Sequence, residues 1–96
     1  MIYDFNGKSP DIDKTSYISP SVDVIGDVSI GKDSSIWFGS VLRADMHYIK
    51  IGSRTNIQDN STIHVTTDLY PTIIGDEVTI GPVSYTHLTL PTRLMV

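Results

Sequence analysis

Residues 11–42 read DIDKTSYISPSVDVIGDVSIGKDSSIWFGSVL, and along them Ile12, Ile18, Val24, Ile30, Ile36 and Leu42 stand six residues apart. The register pauses and resumes with Ile51, Ile57 and Ile63. It pauses again and resumes with Ile74 and Ile80. A period of six excludes an amphipathic helix, which needs apolar residues at i, i+3, i+4 and i+7. It also excludes a plain half-buried strand, because the rest of each hexad is mostly polar. Four residues behind the aliphatic positions stand small or β-branched side chains: Val22, Val28, Ser34, Ser40, Thr55, Ser61, Thr67 and Val78. Glycine directly follows several of the aliphatics, among them at Gly31, Gly52 and Gly75.

The physical reading is a coil with three flat sides. Each hexad supplies one short strand and one tight turn. The aliphatic residue points inward and stacks on its equivalent in the next coil, and the small residue faces in near the corner. Glycine is expected to supply turn conformations that a Cβ penalises. A single coil cannot bury its own faces, so stability comes from stacking neighbours. The sequence therefore predicts an all-β parallel helix of hexapeptide repeats over residues 1–81, with fewer than four coils. The two pauses insert residues between Leu42 and Ile51 and between Ile63 and Ile74. Insertions in a solenoid become surface loops, which often carry function. Both pauses flank a charged and polar stretch from Arg43 to His64.

Bulk composition narrows the function classes. The 96 residues carry a net charge of −4 and no cysteine, and 40% are hydrophobic. No basic patch suggests a nucleic-acid partner. Without cysteine, any metal must use His, Asp or Glu. Neither a signal-peptide pattern nor an apolar run of about 20 residues occurs, so the expectation is a cytoplasmic protein with no membrane partner.

The polar stretch reads Val41-Leu42-Arg43-Ala44-Asp45, then Ile51-Gly52, then Thr55-Asn56-Ile57-Gln58-Asp59, then Ile63-His64-Val65. In order and spacing it resembles the γ-class carbonic anhydrase-like family of the left-handed β-helix superfamily, as do Val24-Ile25-Gly26-Asp27-Val28 and Trp37. The resemblance covers residues 10–81, matching the N-terminal portion of a family member. It implies a left-handed parallel β-helix, assembly as a homotrimer, and a zinc or similar divalent ion bound by three histidines between subunits. It also implies reversible hydration of carbon dioxide to bicarbonate, in which zinc lowers the pKa of bound water to about 7. By the resemblance, His64 is a metal ligand, and Gln58 and Asn56 are catalytic groups beside the metal-bound species. Arg43, Asp45 and Asp59 are then interface residues that hold the site together across subunits.

Several positions depart from that pattern. The two later histidine ligands are due just after Ile80-Gly81, where this chain has Pro82. Met46 stands where prototype enzymes carry a glutamate after Arg-x-Asp, and the loop Thr66-Thr67-Asp68-Leu69-Tyr70 is short. Whether this chain is an enzyme is thus left open: alone it is expected to be inactive and to bind no metal. Alternatives are a hexapeptide-repeat acyltransferase, using histidine as a general base, and a non-catalytic structural member of the family. His47, in the first insertion, is expected to be a loop or interface residue rather than a ligand, and Trp37 a packing residue. After Gly81 the hexad rhythm stops. The run from Val83 to Thr92 back-translates into a string resembling a transposon-end adapter of sequencing libraries. Residues 82–96 are therefore expected to be an unrelated, non-native tail on a truncated helix, and His87 not to be a displaced ligand.

Overall fold

A computed structural model describes residues 1–65 and 70–86. Among them there is no helix, and short parallel strands wind through about four turns of a three-sided β-solenoid. The strands are β1 (Ile2–Tyr3), β2 (Asp11–Ile12), β3 (Tyr17–Ile18), β4 (Asp23–Ile30), β5 (Ser35–Ile36) and β6 (Val41–Ile51). They continue as β7 (Asn56–Ile57), β8 (Thr62–His64), β9 (Thr72–Ile74), β10 (Thr79–Ile80) and β11 (Tyr85–Thr86). The second face stacks β3, β5, β7 and β10. The other two faces merge into one sheet because β4 and β6 each turn a corner without ending.

The register follows from the aliphatic columns. Ile12 aligns with Ile30, Ile30 with Ile51 and Ile51 with Ile74. On the second face Ile18, Ile36, Ile57 and Ile80 align, and on the third Val24, Leu42 and Ile63. All from Val24 onward are buried, while Ile12 and Ile18, in the first coil, are partly buried. Each fully buried Val, Leu or Ile contributes roughly 1.5–3 kcal/mol, so these columns dominate the stability.

The small residues also lie inside, and their hydroxyls do specific work at the corners. Ser34 Oγ donates to Gly52 O at 2.7 Å and accepts from Thr55 N at 3.1 Å. Thr55 Oγ1 in turn donates to Gly75 O at 2.6 Å and accepts from Val78 N at 3.3 Å. Ser40 and Ser61 repeat the pattern at the next corner, reaching Gln58 O and Gly81 O. Each buried hydroxyl thus satisfies a turn carbonyl and an amide of the adjacent coil that the strand ladders leave unpaired.

One expectation, the turn role of Gly31 and Gly52, is corrected. The solenoid runs through about four turns, and the backbone after Gly81 still follows the spiral. Val83 N donates to Asp59 O and Thr62 N to Ser84 O, both at 2.8 Å, and β11 pairs with β8. The corner position after the second pause is filled by buried Thr72, aligned with Ile49 as Ile49 is with Val28; Thr67 lies outside the described residues. Gly31 and Gly52 have no positive φ. They are needed for close approach: a Cβ on Gly31 would lie 2.8 Å from the Gly52 carbonyl carbon, and one on Gly52 2.6 Å from that of Gly75. The left-handed corners instead use Asp33, Arg54 and Glu77 in one column and Gly39, Asn60 and Val83 in another.

Before the first coil, Asn6 (φ 51°) and Gly7 (φ 76°) form a tight turn closed by mutual hydrogen bonds of Phe5 and Lys8, both 2.9 Å. Two positive-φ central residues are the signature of a type I′ hairpin. This turn packs toward the corner that receives the first insertion.

Candidate functional site

Both insertions open at the same corner. Between Gly26 and Val28 the first coil has only Asp27, while the aligned residues Ala44 and Ile49 are separated by Asp45 to Tyr48. In the third coil the chain leaves the described residues after Val65 and returns before Thr72. Thr72 Oγ1 donates to His64 O at 3.3 Å, so the two ends of that second loop are tied together.

Around this corner the third face presents part of the motif. Arg43 aligns with His64 on neighbouring parallel strands, so their side chains leave the same side of the sheet. Arg43 Nε lies 3.6 Å from Asp45 Oδ2, a half-exposed pair that adds little stability by itself. Asp45 Oδ1 is buried without a hydrogen-bond partner among the described residues. His64 points away from the core column, yet it is only 8% exposed. A buried imidazole on the outer side of a strand is held in one orientation, as a ligand or a general base must be.

The remaining motif residues lie on the second face. Asn56, Gln58 and Asp59 share an open groove of about 290 Å³ with Trp37 and Pro82. Ser35 Oγ donates to Asn56 Oδ1 at 3.3 Å. Gln58 N donates to Ile80 O at 3.0 Å and Gln58 O accepts from Ser40 Oγ at 2.8 Å, which fixes the backbone. Its carboxamide is left for the groove. Trp37 packs its ring 4.9 Å from that of Tyr17 and 5.8 Å from that of Phe38. Trp37, expected to be a packing residue, thus also lines the groove. The signal that places it in the groove is the coil length: Ile36 aligns with Ile57, so Trp37 and Gln58 occupy equivalent positions.

The structure therefore divides the candidate residues between two faces of the prism: Arg43, Asp45 and His64 on one, Asn56, Gln58 and Asp59 on the next. Among the described residues no group of three His, Cys, Asp or Glu side chains is placed to hold a metal ion. His64 has the chemistry of a metal ligand. His87 lies outside the described residues.

A parallel solenoid of hexapeptide repeats, with a basic–acidic pair and a buried histidine beside an inserted corner, defines a hexapeptide-repeat protein with a displayed polar site. Within that class the chain is a relative of proteins named γ carbonic anhydrase. It is 52% identical over 85 residues to γ carbonic anhydrase 1, mitochondrial, of Arabidopsis thaliana, covering 83% of this chain and 31% of that protein. It is 47% identical over 81 residues to a carbonic anhydrase of Geobacillus kaustophilus, covering 84% of this chain and 44% of that one. Among solved structures, a hexapeptide transferase family protein from Anaplasma phagocytophilum superposes with a TM-score of 0.84 at 44% identity. That match covers 90% of this chain and 49% of the other. The chain thus spans less than half the length of each of these relatives. No family model matches it.

Proposed function

We propose that this chain is the N-terminal portion of a longer γ-class carbonic anhydrase-like protein that hydrates carbon dioxide reversibly as a zinc-dependent homotrimer in the cytoplasm. The observation that carries the reading is the division of the motif between adjacent faces. In a three-fold ring of prisms, one face of each copy meets a different face of its neighbour. Residues split between two faces then come together only between copies. Among the described residues no helix is long and apolar enough to cross a membrane.

His64 would supply one imidazole ligand of the metal, whose chemistry is to make water a nucleophile near neutral pH. Two further ligands would come from the part of the full-length protein that residues 82–96 do not represent. Gln58 and Asn56 would orient the carbon dioxide oxygens through their carboxamides, and Trp37 would wall the groove against bulk water. Arg43 and Asp45 would fix the face carrying His64, and Asp59 would face the neighbour's Arg43. Residues 82–96 are proposed to be foreign to the repeat. Supporting this, Val83 occupies the left-handed corner held by Gly39 and Asn60 in the preceding coils. That conformation is unfavourable for a β-branched side chain. A genomic sequence running unbroken through these codons would refute this part.

A second reading, an acyltransferase with His64 as general base, is favoured by the hexapeptide transferase name of the Anaplasma structure. Metal analysis and a carbon dioxide hydration assay on the full-length protein separate the two. The hydratase reading expects one metal per site, lost in His64→Ala together with activity. A metal-free full-length protein that transfers acyl groups would overturn it. The 96-residue chain itself is expected to bind no zinc tightly and to lack hydratase activity, and stoichiometric zinc in it would contradict this.

A further inference from the structure

We propose that the turn at Asn6-Gly7 is a self-modification site, where the asparagine side chain converts without an enzyme to aspartate and isoaspartate. The reacting groups are neighbours in the chain: Cγ of the Asn6 carboxamide and the backbone nitrogen of Gly7. Both residues are exposed, and nothing stands within 4 Å of the space a Cβ on Gly7 would take. The turn is closed by the two bonds between Phe5 and Lys8, and Gly7 N takes part in no hydrogen bond among the described residues. The nucleophile is therefore free and unhindered, on a segment of low local stability. The other asparagines lack this combination. Asn60 is also exposed and left-handed, with a φ of 56°. The nitrogen that follows it, Ser61 N, is held by Ser40 Oγ in a buried hydrogen bond of 3.1 Å, and Asn60 N donates to Phe38 O at 2.8 Å. Asn56 lies in β7, paired on both sides by β5 and β10, and is followed by the buried Ile57. Exposure and backbone conformation recur at Asn60, so the free nitrogen is what distinguishes Asn6.

The reaction starts when the turn opens far enough to swing Gly7 N toward Cγ, and only the two Phe5–Lys8 bonds resist that opening. Gly7 N attacks Cγ of Asn6 and forms an N–Cγ bond. The Cγ–Nδ2 bond breaks, and Nδ2 leaves as ammonia with the proton from the Gly7 amide. The product is a cyclic imide, which water then opens. Breaking the new N–Cγ bond gives aspartate. Breaking the original peptide C–N bond gives isoaspartate, whose main chain runs through Cβ and Cγ. The two products differ in consequence. Aspartate tolerates left-handed backbone, so the turn survives and a carboxylate is added to the groove that Asn6 shares with Asp27 and Asp45. Isoaspartate lengthens the main chain of a two-residue turn, so Phe5 and Lys8 no longer close it and β1 comes away from β4. The proposal stands under either functional reading.

The test is to age the 96-residue chain in mildly alkaline buffer, both folded and in guanidinium chloride, and to follow each asparagine by peptide mapping and mass spectrometry. Comparing the two states at each site cancels the intrinsic reactivity of the dipeptide. Folding should slow Asn6 by less than about tenfold and Asn60 by far more, because Asn6 needs only local opening. Asn6 should yield two products of equal mass, aspartate and isoaspartate, and Asn6→Gln should stay unmodified at that position. In the isoaspartate form the Val24 amide, which donates to Met1 O at 2.8 Å, should exchange its hydrogen more than about tenfold faster than in the parent. Equal protection of Asn6 and Asn60 by folding, or a folded chain in which Asn6 does not convert, would overturn the assignment. Val24 exchange that stays at the parent rate would overturn the release of β1.

Discussion

Replacing Gly52 by alanine tests the geometry of the solenoid more sharply than any core truncation, because φ at Gly52 is ordinary and the only obstacle is the neighbouring coil. The added Cβ would meet Asp76 Oδ1 first and would stand 2.6 Å from both the carbonyl carbon and the oxygen of Gly75. To reach ordinary contact at 3.4 Å, the two coils must separate locally by about 0.8 Å. Two hydrogen bonds cross this junction, Gly52 N to Ile74 O and Ser53 N to Asp76 Oδ1, each 2.8 Å. Stretched by the same amount, both pass out of hydrogen-bonding range, at about 1 kcal/mol each. Overpacking of a close-packed interior adds about 1–3 kcal/mol. The expected loss is therefore about 4 kcal/mol, a large part of the stability of a chain this size. Gly7→Ala is the matched control. Gly7 has a φ of 76° but nothing within 4 Å of its notional Cβ, so it should lose only the left-handed penalty of about 1–2 kcal/mol. Urea denaturation of the three proteins, followed by circular dichroism, reads the difference directly. If Gly52→Ala is no less stable than Gly7→Ala, the close stacking of the glycine column is wrong.

Three further outcomes follow from the same structure. Thr55→Val should cost about 1–3 kcal/mol in chemical denaturation, because it keeps the shape but leaves Gly75 O and Val78 N without the hydroxyl that serves both; an unchanged midpoint would contradict the hydroxyl ladder. The carboxyl of Asp13 is held below its ordinary value of 3.8, first by the Thr15 hydroxyl and then by the Thr15 amide. A depressed folded-state pKa gives stability that is present above the unfolded value and lost as pH falls through the folded one. Asp13→Asn should therefore be less stable than the parent near neutral pH, with the gap closing below about pH 4; a pH-independent gap would refute this. Val83→Gly should raise stability by about 1 kcal/mol by relieving the left-handed corner, where a loss of stability would show that the valine side chain contributes packing instead.

The interior of this protein was legible in the sequence because stacking imposes one residue class at one spacing. Every aliphatic of the repeat from Val24 to Ile80 is buried, and so are Ser34, Ser40, Thr55 and Ser61. The corners were less legible. Arg54 and Glu77 adopt left-handed backbone although their residue types signal nothing of the kind, whereas Asp33, in the same column, is of a type that tolerates it. The neighbouring coils fix that conformation: Arg54 N donates to Lys32 O and Glu77 N to Ser53 O, at 2.8 and 2.9 Å. A requirement set by the next coil leaves no mark on the residue that meets it. The same holds for Gly31 and Gly52, whose glycine is visible but whose reason, a backbone one coil away, is not.

The candidate site shows the same limit on a larger scale. Sequence order places Arg43, Asp45, Asn56, Gln58, Asp59 and His64 within a span of 22 residues, which invites the reading of one compact pocket. One turn of the solenoid here advances by 21 residues, as the alignment of Arg43 with His64 shows. The span is therefore one full circuit of the prism: its two ends meet on one face while its middle lies around the corner. Residues 56–59 cannot be brought against His64 by any local adjustment, because Ile57 and Ile63 are both locked in the core between them. A single copy can display the two halves but cannot join them, so chemistry that needs both requires another copy to bring its own second face against this third one. A monomeric full-length protein with undiminished activity would contradict that requirement outright.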